Sequence, residues 1–189
     1  MKRIGMLALC VAAVLSACGL AGEDHERDLA GEHSMQAQHN HSPYSNHQTR
    51  EIKALSADEV EGYLSGAGLG MALPAELNSY PGPRHALELA DSLALSQEQI
   101  ATVRQIFEAM ESQAVDLGVQ VVELELRLDA EFAERTISPS TLTLLTGKIA
   151  RLQGQLRAVH LLAHLGVTDV LTPEQRHEYD RLRGYEAID

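Results

Sequence analysis

Aromatic residues are scarce in this 189-residue chain, which has no tryptophan and only two phenylalanines. Pockets for small organic molecules are lined mainly by apolar and aromatic side chains, with a few polar groups that fix orientation. The composition therefore argues against an aromatic ligand pocket. It leaves open sites built from charged or metal-binding side chains.

Cysteine is nearly absent, and both copies lie close to the N-terminus, at Cys10 and Cys18. A basic start followed by a short apolar run at 4–14 is typical of a secretory signal peptide. The sequence LSAC at 15–18 then resembles a bacterial lipobox. We therefore predict a signal peptide at 1–17 and a lipid on Cys18. The alternative is an ordinary signal peptide with an incidental cysteine.

Loss of the signal peptide removes Cys10, so no disulfide is expected and the fold must depend on packing. No second apolar run reaches the ~20 residues that a membrane-spanning helix needs. These patterns predict a soluble domain in the periplasm, attached to a bacterial membrane through its lipid anchor.

Positive charge is also scarce, with 15 Lys and Arg against 27 Asp and Glu, a formal net charge of -12. Removal of the signal peptide takes away Lys2 and Arg3 and moves this charge to about -14. Such a chain is not suited to nucleic acid or to anionic lipid. It is suited to attracting cations.

Residues 18–50 are small and polar, without apolar periodicity, and we predict that they form a disordered tether. Five of the nine histidines of the chain lie in this segment. His39, His41 and His47 are expected to capture metal ions loosely. The alternative is a polar linker whose histidines have no role.

Residues 51–185 carry helical patterns and no strand-like alternation. Capping boxes at Ser56, Ser96 and Thr172 predict helix starts, and Pro139 suits a first helical turn. Short helical pieces are expected on either side of the YPGP turn at 80–83. Residues 186–189 are predicted to be a short tail.

Two long helices, at about 97–134 and 139–170, carry apolar residues that recur every three or four positions. Because about four residues connect them, they should fold back as an antiparallel hairpin. Pairing residues whose numbers sum to 273 places Phe107 opposite Gly166. The predicted fold class is all-α, a long helical hairpin flanked by short helices.

Within the second helix, RAVHLLAHLG at 157–166 contains His160 and His164, which share one helical face. In the predicted register both lie on the flank of the apolar seam, outside the core. Glu108 and Glu111 of the first helix lie at the same level. Two imidazoles and two carboxylates predict a site for a divalent transition metal, whether zinc, nickel, cobalt or copper.

His85 is a further candidate ligand if the short helix after the YPGP turn packs across this flank. The alternative is a hydrogen-bonded or salt-bridged flank without metal, in which His160 pairs with Glu111 while Arg104 and Arg157 complete the charges. The residues alone do not choose between these readings.

Catalytic motifs are lacking from the sequence. It has no Gly-rich phosphate loop, no nucleophile elbow, no H-E-x-x-H pattern and no free cysteine after export. We therefore expect a binding protein and not an enzyme.

Two pentapeptides, LSQEQ at 95–99 and LTPEQ at 171–175, bracket the predicted hairpin. They resemble the paired LTxxQ motifs of the Spy/CpxP superfamily, and the resemblance extends over about 50–185. It implies a small extracytoplasmic protein whose long helical hairpin is flanked by short helices and pairs as a homodimer.

The superfamily contains chaperones and stress regulators with a basic concave face, and also heavy-metal sensors and resistance proteins. Four features favour the heavy-metal branch of the superfamily. They are the acidity of the chain, the predicted lipid anchor, the histidine-rich tether and the H-x-x-x-H pattern. The predicted function is transition-metal binding in heavy-metal sensing or resistance, with a membrane sensor or regulatory protein as partner. The alternative is an ATP-independent chaperone or envelope-stress regulator that binds unfolded envelope proteins.

Overall fold

The computed structural model describes residues 42–185, in which the regular secondary structure is helical and no strand occurs. A 3-10 turn at Ser45–His47 precedes six α-helices. These are α1 (Ala57–Leu64), α2 (Leu73–Glu76), α3 (Pro83–Glu88), α4 (Gln97–Ala133), α5 (Pro139–Val170) and α6 (Pro173–Arg183). Helices α4 and α5 pack against each other, which confirms the predicted all-α helical hairpin.

Side-chain caps define where the long elements begin. The hydroxyl of Ser96 accepts the backbone N–H of Gln99 at the start of α4, and Thr172 accepts that of Gln175 at the start of α6. Ser138 caps α5 in the same way, one residue before Pro139. The bounds of α5 are those predicted, and α4 ends one residue earlier than predicted.

The two LTxxQ-like pentapeptides meet in space through their glutamines. The Gln99 amide donates to Gln175 Oε1 at 2.8 Å, and the Gln175 amide donates to Gln99 Oε1 at 3.2 Å. Gln99 Nε2 also donates to the backbone carbonyl of Val170 at 3.0 Å. Each glutamine thus closes its own capping box while it joins the N-terminus of α4 to the junction of α5 and α6.

Two apolar clusters stabilise the hairpin at different levels. Near the open end of the hairpin, α3 and α6 pack against α4 and α5. The cluster there is formed by Ala86, Leu93, Leu95, Val103, Val167, Leu171 and Tyr179. Nearer the middle, α1 and the segment before it pack against the hairpin in a second cluster. It is formed by Ile52, Leu55, Tyr63, Ala114, Val121 and Leu156. The segment that connects α1 to α3 passes over α5 between these levels, which positions the candidate site.

The predicted register is corrected at the open end. A Cβ added to Gly166 would lie 3.3 Å from Ile106 Cδ1, so Ile106 faces Gly166 where Phe107 was expected. Phe107 instead lies beneath the guanidinium of Arg84, whose Cζ is 5.5 Å from the ring centroid. The difference is local, because Val103 and Met110 on either side of it are buried as predicted.

The end of the predicted tether, residues 42–50, includes the 3-10 turn at Ser45–His47. Ile52 and Leu55 follow it into the core. The predicted signal peptide, Cys18, His39, His41 and the tail at 186–189 lie outside the described residues. Among the helices within 42–185, none is both long and apolar enough to cross a membrane.

Candidate functional site

His160 and His164 lie at the centre of the candidate site, and both are buried, with exposed fractions of 3% and 8%. The expectation that they lie outside the core is therefore wrong. They do lie beside the seam, but the segment between α1 and α3 covers that flank. Both imidazoles are thus held in a largely desolvated place on the hairpin.

The orientation of His164 is set by a backbone carbonyl. Its Nδ1 lies 2.7 Å from the carbonyl oxygen of Tyr80. Since a carbonyl only accepts, Nδ1 carries a proton, and Nε2 is the nitrogen left to offer a lone pair. This arrangement is typical of histidine metal ligands, whose second nitrogen is held by a hydrogen bond.

His160 has an unsatisfied nitrogen. Its Nε2 is buried and has no hydrogen-bond partner among the described residues. Burial lowers the pKa of His160, and the neighbouring His164 lowers it further, so the ring is neutral near pH 7. A buried lone pair without a partner costs free energy, and a bound cation would offset that cost.

Glu76, at the end of α2, is a buried carboxylate beside His164. Its Oε2 lies 3.7 Å from His164 Nδ1, within ion-pair range. Its Oε1 accepts the hydroxyls of Tyr179 at 2.7 Å and Tyr185 at 3.1 Å. Arg183 Nε lies 3.4 Å from Oε1, close enough for an ion pair although it is not aligned as a hydrogen bond.

Tyr179 fixes the position of this carboxylate. Burial raises the pKa of Tyr179, and the hydrogen bond to Glu76 raises it further, so the hydroxyl stays protonated and donates. The same hydroxyl accepts the backbone N–H of Gly82 at 3.3 Å. Glu76 therefore connects α2, the loop before α3, and the C-terminal helix to the histidine pair.

Gly82 leaves the space in which His164 and Glu76 approach each other. A Cβ at this position would lie 3.0 Å from His164 Cε1 and 3.3 Å from Glu76 Oε2. Such contacts are tighter than side chains tolerate without movement. The turn recognised in the sequence as YPGP therefore makes room for the site as well as reversing the chain.

A solvent-open cavity of about 380 Å³ lies over the histidine pair. Its walls come from the glycine-rich loop at 66–70, from α2 and α3, from Met110 on α4 and from the C-terminal residues. His85 lines the cavity together with His160 and His164, so α3 does pack across this flank. Its Nδ1 is hydrogen-bonded to Glu88 Oε2 at 2.7 Å.

The other predicted ligands lie elsewhere. Glu108 is exposed, and Glu111 Oε1 lies 4.0 Å from Arg84 Nη2. The carboxylate that the structure brings to His164 is Glu76, which the sequence reasoning missed. His47 lies in the 3-10 turn, where its ring contacts that of Tyr44 at 5.8 Å between centroids.

Three imidazoles line the cavity, but Nδ1 of His85 is hydrogen-bonded to Glu88, and no third ligand is grouped with His160 and His164 in the described part of the chain. Within residues 42–185 there is no group of three or more His, Cys, Asp or Glu side chains that could hold a metal ion. The unpartnered Nε2 of His160 and the oriented ring of His164 nevertheless fit a cation that accepts nitrogen donors. Glu108 and Glu111 stay predictions as ligands.

The pKa of His160 predicts how stability depends on pH. Because its folded pKa is lowered, the unfolded chain binds a proton below the ordinary value of about 6.5 while the folded chain does not. Stability should therefore fall as the pH drops below about 6.5, with a slope of at most ~1.4 kcal/mol per pH unit from this group.

This slope is measured by urea unfolding between pH 7.5 and 5. His160→Asn should reduce it, whereas His177→Asn, at an exposed position on α6, should leave it unchanged. Equal slopes in the parent chain and His160→Asn would show that His160 is not held neutral.

Comparison with known proteins adds no relative: no family model matches the chain, and no curated protein or solved structure matches it significantly. The Spy/CpxP resemblance therefore rests on the two pentapeptides and on the hairpin that they bracket.

Proposed function

We propose that this chain is a lipid-anchored periplasmic protein that binds a divalent transition metal through His160 and His164 and acts in heavy-metal sensing or resistance. The observation that supports it most is the buried Nε2 of His160, which has no hydrogen-bond partner within residues 42–185 and lies beside a second, oriented imidazole. Zinc, nickel, cobalt and copper(II) all accept imidazole nitrogen.

The metal would be held by the Nε2 atoms of the two histidines, and the residues around them maintain those atoms as donors. The Tyr80 carbonyl holds the His164 tautomer, and burial keeps His160 unprotonated. Glu76, Arg183 and the tyrosine hydroxyls fix the wall behind His164. The acidic surface of the chain raises the local concentration of cations.

Metal binding is tested by thermal unfolding of the full chain in which the five tether histidines are replaced by asparagine. At a hundredfold excess over Kd, one bound metal should stabilise the fold by about 2.7 kcal/mol. His160→Ala and His164→Ala should each remove most of the shift, while His177→Ala should not. The shift should weaken as the pH falls, because protons compete with the metal for the imidazole nitrogens.

The superfamily resemblance also supports a chaperone or envelope-stress regulator, and one feature favours this second candidate. An apolar groove of about 690 Å³ lies between α1 and α4, and its walls include the exposed Leu64 and Leu126. This candidate predicts that the chain suppresses aggregation of an unfolded client. That activity should persist in His160→Ala and His164→Ala, with no metal-induced thermal shift in the parent chain.

Membrane attachment through Cys18 is part of the proposal and rests on LSAC after the apolar run. Cys18→Ser should move the protein from the membrane fraction to the soluble fraction, or block its processing. Fractionation of cells that express either form measures this. A Cys18→Ser chain that is cleaved normally and stays with the membrane would exclude the lipid anchor.

Pairing as a homodimer is also proposed. It is supported by leucines of α5 that stay exposed, with Leu144 at 53%, Leu162 at 64% and Leu165 at 47%. Such residues are candidates for contact with a second chain or with a membrane sensor.

A further inference from the structure

The cavity over His160 and His164 has room for more than a metal ion. A single water needs only ~10–15 Å³ of such space, and the cavity provides about 380 Å³. This volume lies within the range of about 300–1,000 Å³ that is usual for sites of small organic ligands. A bare ion would leave most of it to solvent.

The charge of the cavity wall is opposite to that of the chain. The chain has a formal net charge of -12, yet this wall contains two arginines against one carboxylate, Glu76. The arginines are Arg84 and Arg183. Glu76 already interacts with Arg183 and two tyrosine hydroxyls, so the wall favours an anionic ligand.

Arg84 is the basic group best placed to bind such a ligand. Its side chain is 56% exposed, and its ion pair with Glu111 is long, at 4.0 Å. The Phe107 ring supports the guanidinium from below. A guanidinium presents donors in a planar fork that matches a carboxylate.

We infer that the ligand is a divalent transition metal already chelated by a small di- or tricarboxylate. This rests on the proposed function and names the form in which the metal binds. His160 and His164 would each take the place of a water on the metal, the chelator would supply the remaining donors, and Arg84 would bind a free carboxylate. Binding of a chelated metal explains why two protein ligands would suffice, although the described residues contain no group of three metal-binding side chains.

Equilibrium dialysis with labelled nickel and labelled citrate tests this inference on the full chain with the tether histidines replaced by asparagine. Nickel alone should be retained weakly, and equimolar citrate should tighten its retention at least tenfold, with one citrate retained for each nickel. Arg84→Ala should lose that gain and leave the weak retention of nickel unchanged. Arg104→Ala, an exposed arginine of α4 outside the cavity wall, is the matched control.

The failures of the two proposals are distinguishable. Nickel that binds equally well or less well when citrate is present would overturn the inference and leave the metal-binding function in place. Citrate retained without nickel would also overturn it, because the cavity would then be an anion site. If neither label is retained under any condition, both proposals fail.

Discussion

Replacing Gly118 with alanine should destabilise the domain by about 3 kcal/mol or more. A Cβ at this position of α4 would overlap the carbonyl oxygen of Tyr63 and lie 2.7 Å from its carbonyl carbon. The obstacle is the backbone of α1, which cannot rotate away as a side chain can. Helix α1 would have to shift from α4, opening the cluster around Ala114 and Val121.

Gly154→Ala is the matched control, since Gly154 also lies within a long helix but has no heavy atom within 4 Å of an added Cβ. Alanine in a helix interior is favoured over glycine by about 0.5–1 kcal/mol, so this variant should be more stable than the parent. Urea unfolding measures both. Equal stability of the two variants would exclude the close packing of α1 on α4.

Replacing Glu76 with alanine should cost about 2–3 kcal/mol. The change removes the carboxylate that accepts hydrogen bonds from the hydroxyls of Tyr179 and Tyr185. Because Tyr179 is fully buried, its hydroxyl would be left without this acceptor. Arg183 loses its ion pair as well, although its side chain is 30% exposed and solvent replaces part of that interaction. The C-terminal helix should therefore loosen from the wall of the cavity.

Glu88→Ala is the control for this variant. Glu88 also lies in a short helix and is hydrogen-bonded to a histidine, but its side chain is 58% exposed. Its loss should change stability by no more than about 0.5 kcal/mol. If thermal unfolding shows equal losses for Glu76→Ala and Glu88→Ala, Glu76 does not hold the elements of the site together.

The long elements were predictable because their signals are local. Capping residues define the starts of α4, α5 and α6, and the spacing of apolar residues defines the faces that meet. The same reasoning placed Phe107 opposite Gly166, where Ile106 lies nearest, because a two-helix register does not include α3, whose Arg84 lies over Phe107.

The cover over the histidines was harder to predict. The segment between α1 and α3 contains one four-residue helix, α2, and its path depends on backbone at positive φ, including Gly66 and Gly70. Glu76 reaches His164 and Tyr179 only because of that path. The one signal in the sequence was a single acidic residue within the apolar stretch LPAEL at 73–77.

Metal ligation by His160 and His164 is tested most directly by X-ray absorption spectroscopy of a one-to-one zinc complex. The sample is the full chain with its five tether histidines replaced by asparagine, so that only the described domain supplies histidines. The spectrum should contain scattering from two imidazole rings, with nitrogen at about 2.0–2.1 Å from zinc. That signal should be lost when His160→Ala and His164→Ala are combined and retained in His177→Ala. A shell of oxygen alone, unchanged in the double variant, would contradict the proposed site.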